Sequence, residues 1–513
     1  MANISNPMGI LVLELISKDK NNIYESFFSD PPSCLVIYRL LPEIYKILII
    51  RALNSSEAGI LQNSYLKNND LFINTKSKIN DCILGLLQIK ILEKINDQIF
   101  KINEKFFVTM KKLLSEGLDF DKQKFRRKAR GYEKYLDKGI NLFYKFINEK
   151  IFGQFGKVES ESDSEINKFL LYAGLLSKDQ EKKYQIGNLP IFLNKTEELI
   201  TSFFYKYLTY NIDMKILDEQ KFKFFQLLFY LATLEPGTYF TSFPEQYYDP
   251  SLEKHLDFMN QTGFLIMKPE TKNGKIIKKY FCTPLIQSLF ENNNISEDYS
   301  LIKYGDENAN RFLYVETNMK FYAFMPELNK KKKEKQTALF LGISEMNSST
   351  NLSNIIEKEP KESKDERVLF YINLLKSMFT IEMILPDNGL IGYITRENLK
   401  KIFKQLTNSN RLLQFLSDHM SLNNDDVTDV GDKKYLINES VVNQISILEN
   451  EKKSIEIVKS VACYYDFFDS KQYQSFLTRL ENDNIKPIKK EDNDMIVVIS
   501  GEDAKKLKNR YQI

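Results

Sequence analysis

Two histidines, four cysteines and 69 acidic side chains are the groups in this 513-residue chain that could exchange protons, attack as nucleophiles or hold a metal. Their spacing supports none of these roles. His255 and His419 fall on separate predicted helices in different predicted domains, and neither has the close partners that a His-based triad or a zinc site requires. Cys34, Cys82, Cys282 and Cys463 are far apart, each in an apolar or aromatic neighbourhood and none in a CxxC pair, which marks them as buried, reduced thiols. Gly156-Lys157 is followed by Val158 with no strand before it, so it is not a phosphate loop, and the GxG clusters of a dinucleotide site are missing. Carboxylates are plentiful, but no pair of them stands out. The chain reads as a noncatalytic protein without a cofactor, and its chemistry as that of binding surfaces.

Charge narrows the partners. With 72 basic residues against 69 acidic ones the net charge is +3, so there is no bulk attraction to nucleic acid or to a membrane, and any DNA contact must be local. The run Lys122–Arg130 is one such place: Arg126, Arg127, Lys128 and Arg130 could meet phosphates or act in nuclear import, or they could lie on a solvated helical face or linker. No stretch of about eighteen apolar residues occurs, so no membrane span is expected. The apolar run Gly9–Ile16, interrupted by Glu14, suits a short amphipathic helix better than a signal peptide.

These groups must be positioned by several domains, because the chain is longer than one hydrophobic core usually serves. Three times the pattern passes from amphipathic helices to a pair of short apolar strands around a polar turn, which describes a winged-helix module. The first takes helices 43–53 and 79–92 with strands 98–102 and 105–109. The second takes helix 165–176 and the strand-turn region 183–192, and the third takes helices 221–234 and 251–262 with strands 264–268 and 276–281 around Lys272-Asn273-Gly274. The candidate recognition helices are not convincingly basic: Asp81 offsets Lys90, and Glu253 and Asp257 offset Lys254.

Tyr314–Phe324 then alternates as a strand with Val315, Thr317, Met319, Phe321 and Ala323 on one face, and Glu316, Asn318, Lys320, Tyr322 and Phe324 on the other. A helix over 367–383, a strand over 390–394 and a helix over 395–406 capped by Thr395 follow, then a helix over 411–419 and an acidic linker over 423–432. The end of the chain reads β-α-β-β-α, and Met495–Ile499, apolar on both faces, is expected to form an edge that invites a partner strand. The fold class is α+β, a mostly helical multidomain protein of tandem winged-helix-like units, a small α/β domain and a C-terminal β-α-β-β-α domain. The expected divisions are 1–120, 121–205, 206–300, 305–420 with a polar insertion at 326–366, a linker and helix at 421–450, and 451–513.

Five segments carry a family resemblance in the right order: Pro31–Pro42, Leu228–Glu235, Tyr314–Phe324 with its Val315-Glu316-Thr317-Asn318, Gly392–Leu399 with its Ile394-Thr395-Arg396-Glu397-Asn398, and Val441–Ile445. Together they resemble the TFIIH subunit that anchors the XPB-type helicase. The family's tryptophans are replaced here, with Leu448 standing where one follows the Val441–Ile445 run. The resemblance implies a scaffold subunit of core TFIIH, located in the nucleus, whose region 305–420 is a helicase-docking "clutch". It implies stimulation of the helicase ATPase for RNA polymerase II promoter opening and nucleotide excision repair. It assigns Glu316, Asn318, Tyr322, Arg396 and Glu397 to the polar part of the docking surface, with Phe321 and Tyr393 as packing anchors. It also implies that the C-terminal domain pairs with the small TFIIH subunit of similar fold near Val497, Val498 and Ile499, and that other core subunits are partners, while duplex DNA is met only weakly or through the complex. The alternative is a winged-helix DNA-binding regulator acting outside TFIIH.

Overall fold

In the computed structural model, the described residues are 6–19, 22–54, 60–62, 76–96, 98–118, 132–158, 164–216, 220–241, 243–272, 275–290, 311–324, 366–385, 389–406, 408–420, 428–430, 433–454, 461–464, 467, 469–483, 485–491 and 495–511. The chain forms two compact units, residues 1–444 and 445–513. It is a mostly helical α+β protein with six small antiparallel sheets among the described residues. The basic run 122–130 and nearly all of the insertion 326–366 lie outside the described residues.

The first unit opens with helices α1 (Pro7–Lys18), α2 (Glu25–Ser29), α3 (Pro31–Leu40) and α4 (Glu43–Asn54). Pro31 and Pro32 start α3 where a missing N–H is harmless, and Asp30 caps it by accepting the Ser33 N–H at 3.1 Å. Strand β1 (Ile60–Gln62), helix α5 (Lys76–Gln88) and strands β2 (Leu92–Lys94) and β3 (Ile99–Ile102) follow, then α6 (Glu104–Glu116). The strand expected over 105–109 is therefore the first turns of a helix. Asn103 decides this, since its side chain accepts the N–H groups of Lys105 and Phe106 as an N-cap, and β3 instead pairs back onto β2.

Helix α7 (Tyr132–Lys150) leads to α8 (Glu165–Tyr172), β4 (Leu176–Lys178) and β5 (Tyr184–Ile186). The helix expected to reach residue 176 stops earlier because Gly174 takes a left-handed φ of +67°, which frees Leu176 to start a strand. Next come α9 (Leu189–Phe192), α10 (Thr196–Asp213), α11 (Lys221–Thr233), β6 (Tyr239–Phe240), α12 (Glu253–Gln261), β7 (Leu265–Lys272), β8 (Lys275–Cys282) and α13 (Pro284–Ser288).

One topology recurs in these segments. A strand between two helices pairs with the last strand of the wing, giving the orders β1-β3-β2 and β6-β8-β7. In the second unit the first strand shrinks to a single antiparallel bridge from Val158 to Lys183, beside β5. The winged-helix pattern thus appears three times, with three strands in the first and third and two strands and a bridge in the second.

Aromatic residues fill the core in the absence of tryptophan. Phe203 of α10 meets Phe143 of α7 at 5.4 Å and Phe169 of α8 at 5.5 Å, and Tyr207 stacks on Phe258 of α12 at 3.7 Å. At the crossing of α7 with the loop before β7, a Cβ on Gly263 would lie 2.1 Å from the Gly139 carbonyl, so the two backbones touch there.

Strands β9 (Leu313–Val315) and β10 (Lys320–Phe324), helix α14 (Glu366–Met378), strands β11 (Thr380–Leu385) and β12 (Gly389–Tyr393), and helices α15 (Arg396–Gln405) and α16 (Asn410–His419) make the next layer. The helix expected over 367–383 ends at Met378, because Thr380–Leu385 pairs antiparallel with β12. Asparagines of α7 fasten the start of α14. The Asn141 Oδ1 accepts the Glu366 N–H at 2.9 Å, and the Asn148 Nδ2 donates to the Glu366 carbonyl at 2.8 Å. Part of the expected linker is a small hairpin of β13 (Thr428–Val430) and β14 (Lys433–Tyr435), before α17 (Glu439–Ser454).

The second unit contains β15 (Val461–Tyr464), α18 (Ser470–Asn482), β16 (Lys489–Glu491), β17 (Ile496–Ser500) and α19 (Gly501–Tyr511), in the order β-α-β-β-α. Its sheet order is β15-β17-β16. The apolar strand expected at an edge is the middle strand, which is where a run that is apolar on both faces is best covered.

Candidate functional site

The segment Tyr314–Phe324 is a hairpin and not one strand. The Met319 N–H donates to the Glu316 carbonyl at 2.9 Å, the Glu316 N–H donates to the Lys320 carbonyl at 2.8 Å, and Met319 adopts a left-handed φ of +65°. This is a tight turn closed by a left-handed residue, a common three-residue hairpin connection. Asn318 reinforces it by accepting the Lys320 N–H at 2.8 Å and donating to Glu316 Oε2 at 3.0 Å. Two other segments reach the turn: the Ile394 N–H donates to the Met319 carbonyl at 2.9 Å, and the Gln444 Nε2 donates to the Thr317 carbonyl at 3.2 Å.

After β12, Thr395 caps α15 in a reciprocal box with Asn398, whose N–H donates to Thr395 Oγ1 at 3.2 Å. A cap of this kind is worth about 1 kcal/mol. Asn398 also accepts from Thr380 Oγ1 at 3.0 Å, which ties the helix start to β11. Arg396 and Glu397 follow in the exposed first turn, where the Glu397 carboxylate suits the positive end of the helix.

The four-stranded sheet has the order β11-β12-β10-β9, and its two faces differ. On the inner face Val315, Phe321, Ala323 and Leu390 are buried, and Phe321 packs on Phe379 at 5.4 Å. Phe321, expected as a docking anchor, is fully buried in this core and offers no surface to a partner. On the outer face Tyr322 stands opposite Tyr314 and Ile391, and Lys320 opposite Tyr393. The Lys320 ammonium lies 5.2 Å from the Tyr393 ring, 5.7 Å from the Tyr322 ring and 3.0 Å from Glu382. The hydrogen bond to Glu382, and then that to Tyr393, hold the Lys320 pKa above its ordinary value. Partial burial, with Glu316 nearby, raises that of Tyr322.

Around this centre, Phe324 is 58% exposed and Met383 52%. The structure thus gathers Glu316, Asn318, Tyr322 and Tyr393 around the hairpin, with the turn bonded directly to the strand end that precedes Arg396 and Glu397. It adds residues that the sequence reading did not assign to the site: Tyr314, Lys320, Phe324, Glu382 and Met383. Alternation along 314–324 carries a signal for the first three, whereas the last two sit in the segment whose pattern predicts a helix. An uncovered aromatic and apolar face with one fixed cation suits protein docking.

The groups with catalytic potential are held structurally. His255 shares a 2.6 Å hydrogen bond with the Tyr207 hydroxyl, and burial, with Lys254 nearby, lowers its pKa to about 4. His419 Nδ1 lies 2.7 Å from the Phe415 carbonyl, and its ring packs among Phe312, Tyr371 and Phe415. Cys34, Cys82 and Cys282 are buried and unpaired, and the side chain of Cys463 lies outside the described residues. Among the described residues no group of three metal-ligating side chains occurs, and no helix is long and apolar enough to cross a membrane.

The neutral His255 has a consequence for stability. Its folded pKa is depressed, so its stabilisation is complete above the unfolded value of 6.5 and falls as protons bind the unfolded chain below it. Lowering the pH from about 7 to 5 is expected to remove about 2 kcal/mol through this residue. A His255→Gln chain, which keeps an acceptor for Tyr207, should lose that part of the slope in urea unfolding measured at both pH values. An equal slope in the two chains would refute it.

In the second unit Val497 and Ile499 are buried with Tyr473, Phe476, Leu477 and Leu480 of α18 and Leu507 of α19. They are therefore core residues and not contacts for a partner. Val498, of the three expected there, faces the other way and is half-buried, with Ile488 exposed nearby in the chain. Arg126, Arg127, Lys128 and Arg130 lie outside the described residues.

A family model described as transcription factor Tfb2 matches residues 14–421. No curated protein matches the chain.

Proposed function

We propose, for a chain that belongs to the transcription factor Tfb2 family and is thus a subunit of TFIIH, that the outer face of the β9–β12 sheet anchors the XPB-type translocase and raises its DNA-dependent ATPase. The observation that carries this reading is the uncovered face on which Tyr322 and Tyr393 flank the fixed Lys320 ammonium, with Tyr314 and Phe324 exposed on the same side of the sheet. Rigid aromatic side chains lose little conformational freedom on binding, which favours them as anchors. Glu316, Asn318, Arg396 and Glu397 supply the polar margin. Docking accelerates ATP hydrolysis only if the sheet binds the active arrangement of the translocase more tightly than the inactive one.

The winged-helix units join the other core subunits, and the protein works in the nucleus in promoter opening and nucleotide excision repair. The second unit receives the small TFIIH subunit through the open side of its sheet, with Val498 at the contact in place of the buried Val497 and Ile499. Membership in the family sets aside a regulator acting outside TFIIH.

The test is the DNA-stimulated ATPase rate of the same organism's XPB-type translocase, with and without this chain and with a Glu316→Lys/Arg396→Glu variant. The rate is expected to rise with the native chain and to lose most of that rise with the variant. An unchanged rate with the native chain would remove the regulatory claim.

A further inference from the structure

Helix α15 carries its charge on one face. Arg396, Lys400 and Lys404 recur every fourth residue with Lys401 beside them, while Leu399, Ile402 and Phe403 are buried. All four cations are exposed, and Glu397 is the one acid among them. From Asn398 to Ser417 the sequence holds Lys400, Lys401, Lys404 and Arg411 and no carboxylate.

On other helices exposed lysines find an acid three or four residues away. Lys18 pairs with Glu14 on α1, Lys112 with Glu116 on α6, Lys145 with Glu149 on α7, Lys168 with Glu165 on α8 and Lys506 with Asp503 on α19. Among the described residues, Lys400, Lys401 and Lys404 have no such pair. Like charges four residues apart on a helix repel. The negative end of α15 suits Lys404, but that influence fades within the last turn and does not reach Lys400 or Lys401.

The helix is nonetheless fixed at both ends. Asn398 ties its start to Thr395 and Thr380. At its far end the Gln405 Oε1 accepts the Leu189 N–H at 2.8 Å, and the Gln405 Nε2 donates to the Ile186 carbonyl at 3.3 Å, which fastens α15 to the second winged-helix unit. A self-repelling face is thus displayed on a firm support.

We propose that Lys400, Lys401 and Lys404 of α15 form a contact site for the phosphate backbone of double-stranded DNA, without base readout. A polyanion lying along the stripe relieves its repulsion at once. Lys400 and Lys404 are about 6 Å apart along the helix axis, a length in which one strand of a duplex places about two phosphates. Protein interfaces centre on apolar and aromatic anchors and are poor in lysine, whereas the exposed residues of α15 include no apolar side chain. A contact built from charge alone suits DNA, where released counterions supply the affinity. The site needs no partner protein and does not rest on docking of the translocase.

The experiment is fluorescence anisotropy of a labelled duplex of about 20 base pairs with the full chain, between about 50 and 200 mM salt. A Lys400→Gln/Lys401→Gln/Lys404→Gln chain is expected to lower the slope of log affinity against log salt by about 2 to 3, so that the native chain loses roughly 10- to 40-fold more affinity than the variant across that range. Lys400→Arg/Lys401→Arg/Lys404→Arg, which keeps the charge, should retain the native slope. So should Lys112→Gln/Lys145→Gln/Lys168→Gln, which removes as much charge from helices where each lysine has its acid. The proposal fails if the duplex does not bind at the lowest salt, if the α15 glutamine variant keeps the native slope, or if either control lowers it as much. It fails equally if the glutamine variant loses binding of a polyglutamate peptide and not of the duplex, which would assign the helix to an acidic protein segment.

Discussion

A Gly392→Ala chain is expected to lose its β9–β12 sheet while retaining the winged-helix units. Gly392 sits on β12, between β10 and β11, and a Cβ built there falls 2.4 Å from the Thr380 carbonyl oxygen and 2.8 Å from the Phe321 ring. The first obstacle is backbone held in a paired strand, and the second is a ring fixed against Phe379. Neither can yield without breaking a strand pair or the sheet's own core. Overpacking of this kind destabilises by about 3 kcal/mol. Hydrogen exchange should report it as lost protection for the amides of Phe321–Phe324 and Leu390–Tyr393, with the amides of α10 and α11 unchanged. Native protection throughout would mean that the strands can separate at little expense, contrary to the close packing described.

The second large effect concerns binding. Tyr322→Ala/Tyr393→Ala is expected to weaken association with the XPB-type translocase by about 3–4 kcal/mol, roughly 100- to 1,000-fold in Kd. Both rings lie on the outer face, so the fold should survive their removal, and Lys320 retains Glu382 at 3.0 Å. Calorimetric titration of the translocase with native and variant chains measures the change. Native affinity in the variant would place the docking surface elsewhere on the chain.

How much of this was legible in the sequence depends on the local device at each position. The long ribbon β7–β8 could be read because Asn273-Gly274 announces its turn, and the start of α15 because Thr395 is a standard cap. The turn after Val315 could not, since its left-handed position is filled by Met319 and not by glycine. Phe379–Leu385 is a short apolar run that periodicity cannot divide between helix and strand, and pairing with β12 decides it. Asn103 falls in the turn that the pattern predicts between 102 and 105, where its side chain in fact starts a helix. Strand order carries no local signal at all, and for that reason the sequence suggests an edge at Met495–Ile499 where the sheet has its middle strand. The polar half of the candidate site is visible in residue types, whereas Glu382 and Met383 join it only through the sheet.

The asparagine clasp on Glu366 has a bearing on how this chain can change over generations. Phe324 is fastened by its N–H to the Phe312 carbonyl at 2.8 Å, and Glu366 by Asn141 and Asn148 of α7. Whatever lies between them begins and ends at points fixed by other parts of the fold. Closing a loop between fixed ends grows dearer only with the logarithm of its length, about 0.6 kcal/mol for each doubling. Phe324 and Glu366 thus owe their places to Phe312, Asn141 and Asn148, and a change in the number of residues between them costs the surrounding architecture little.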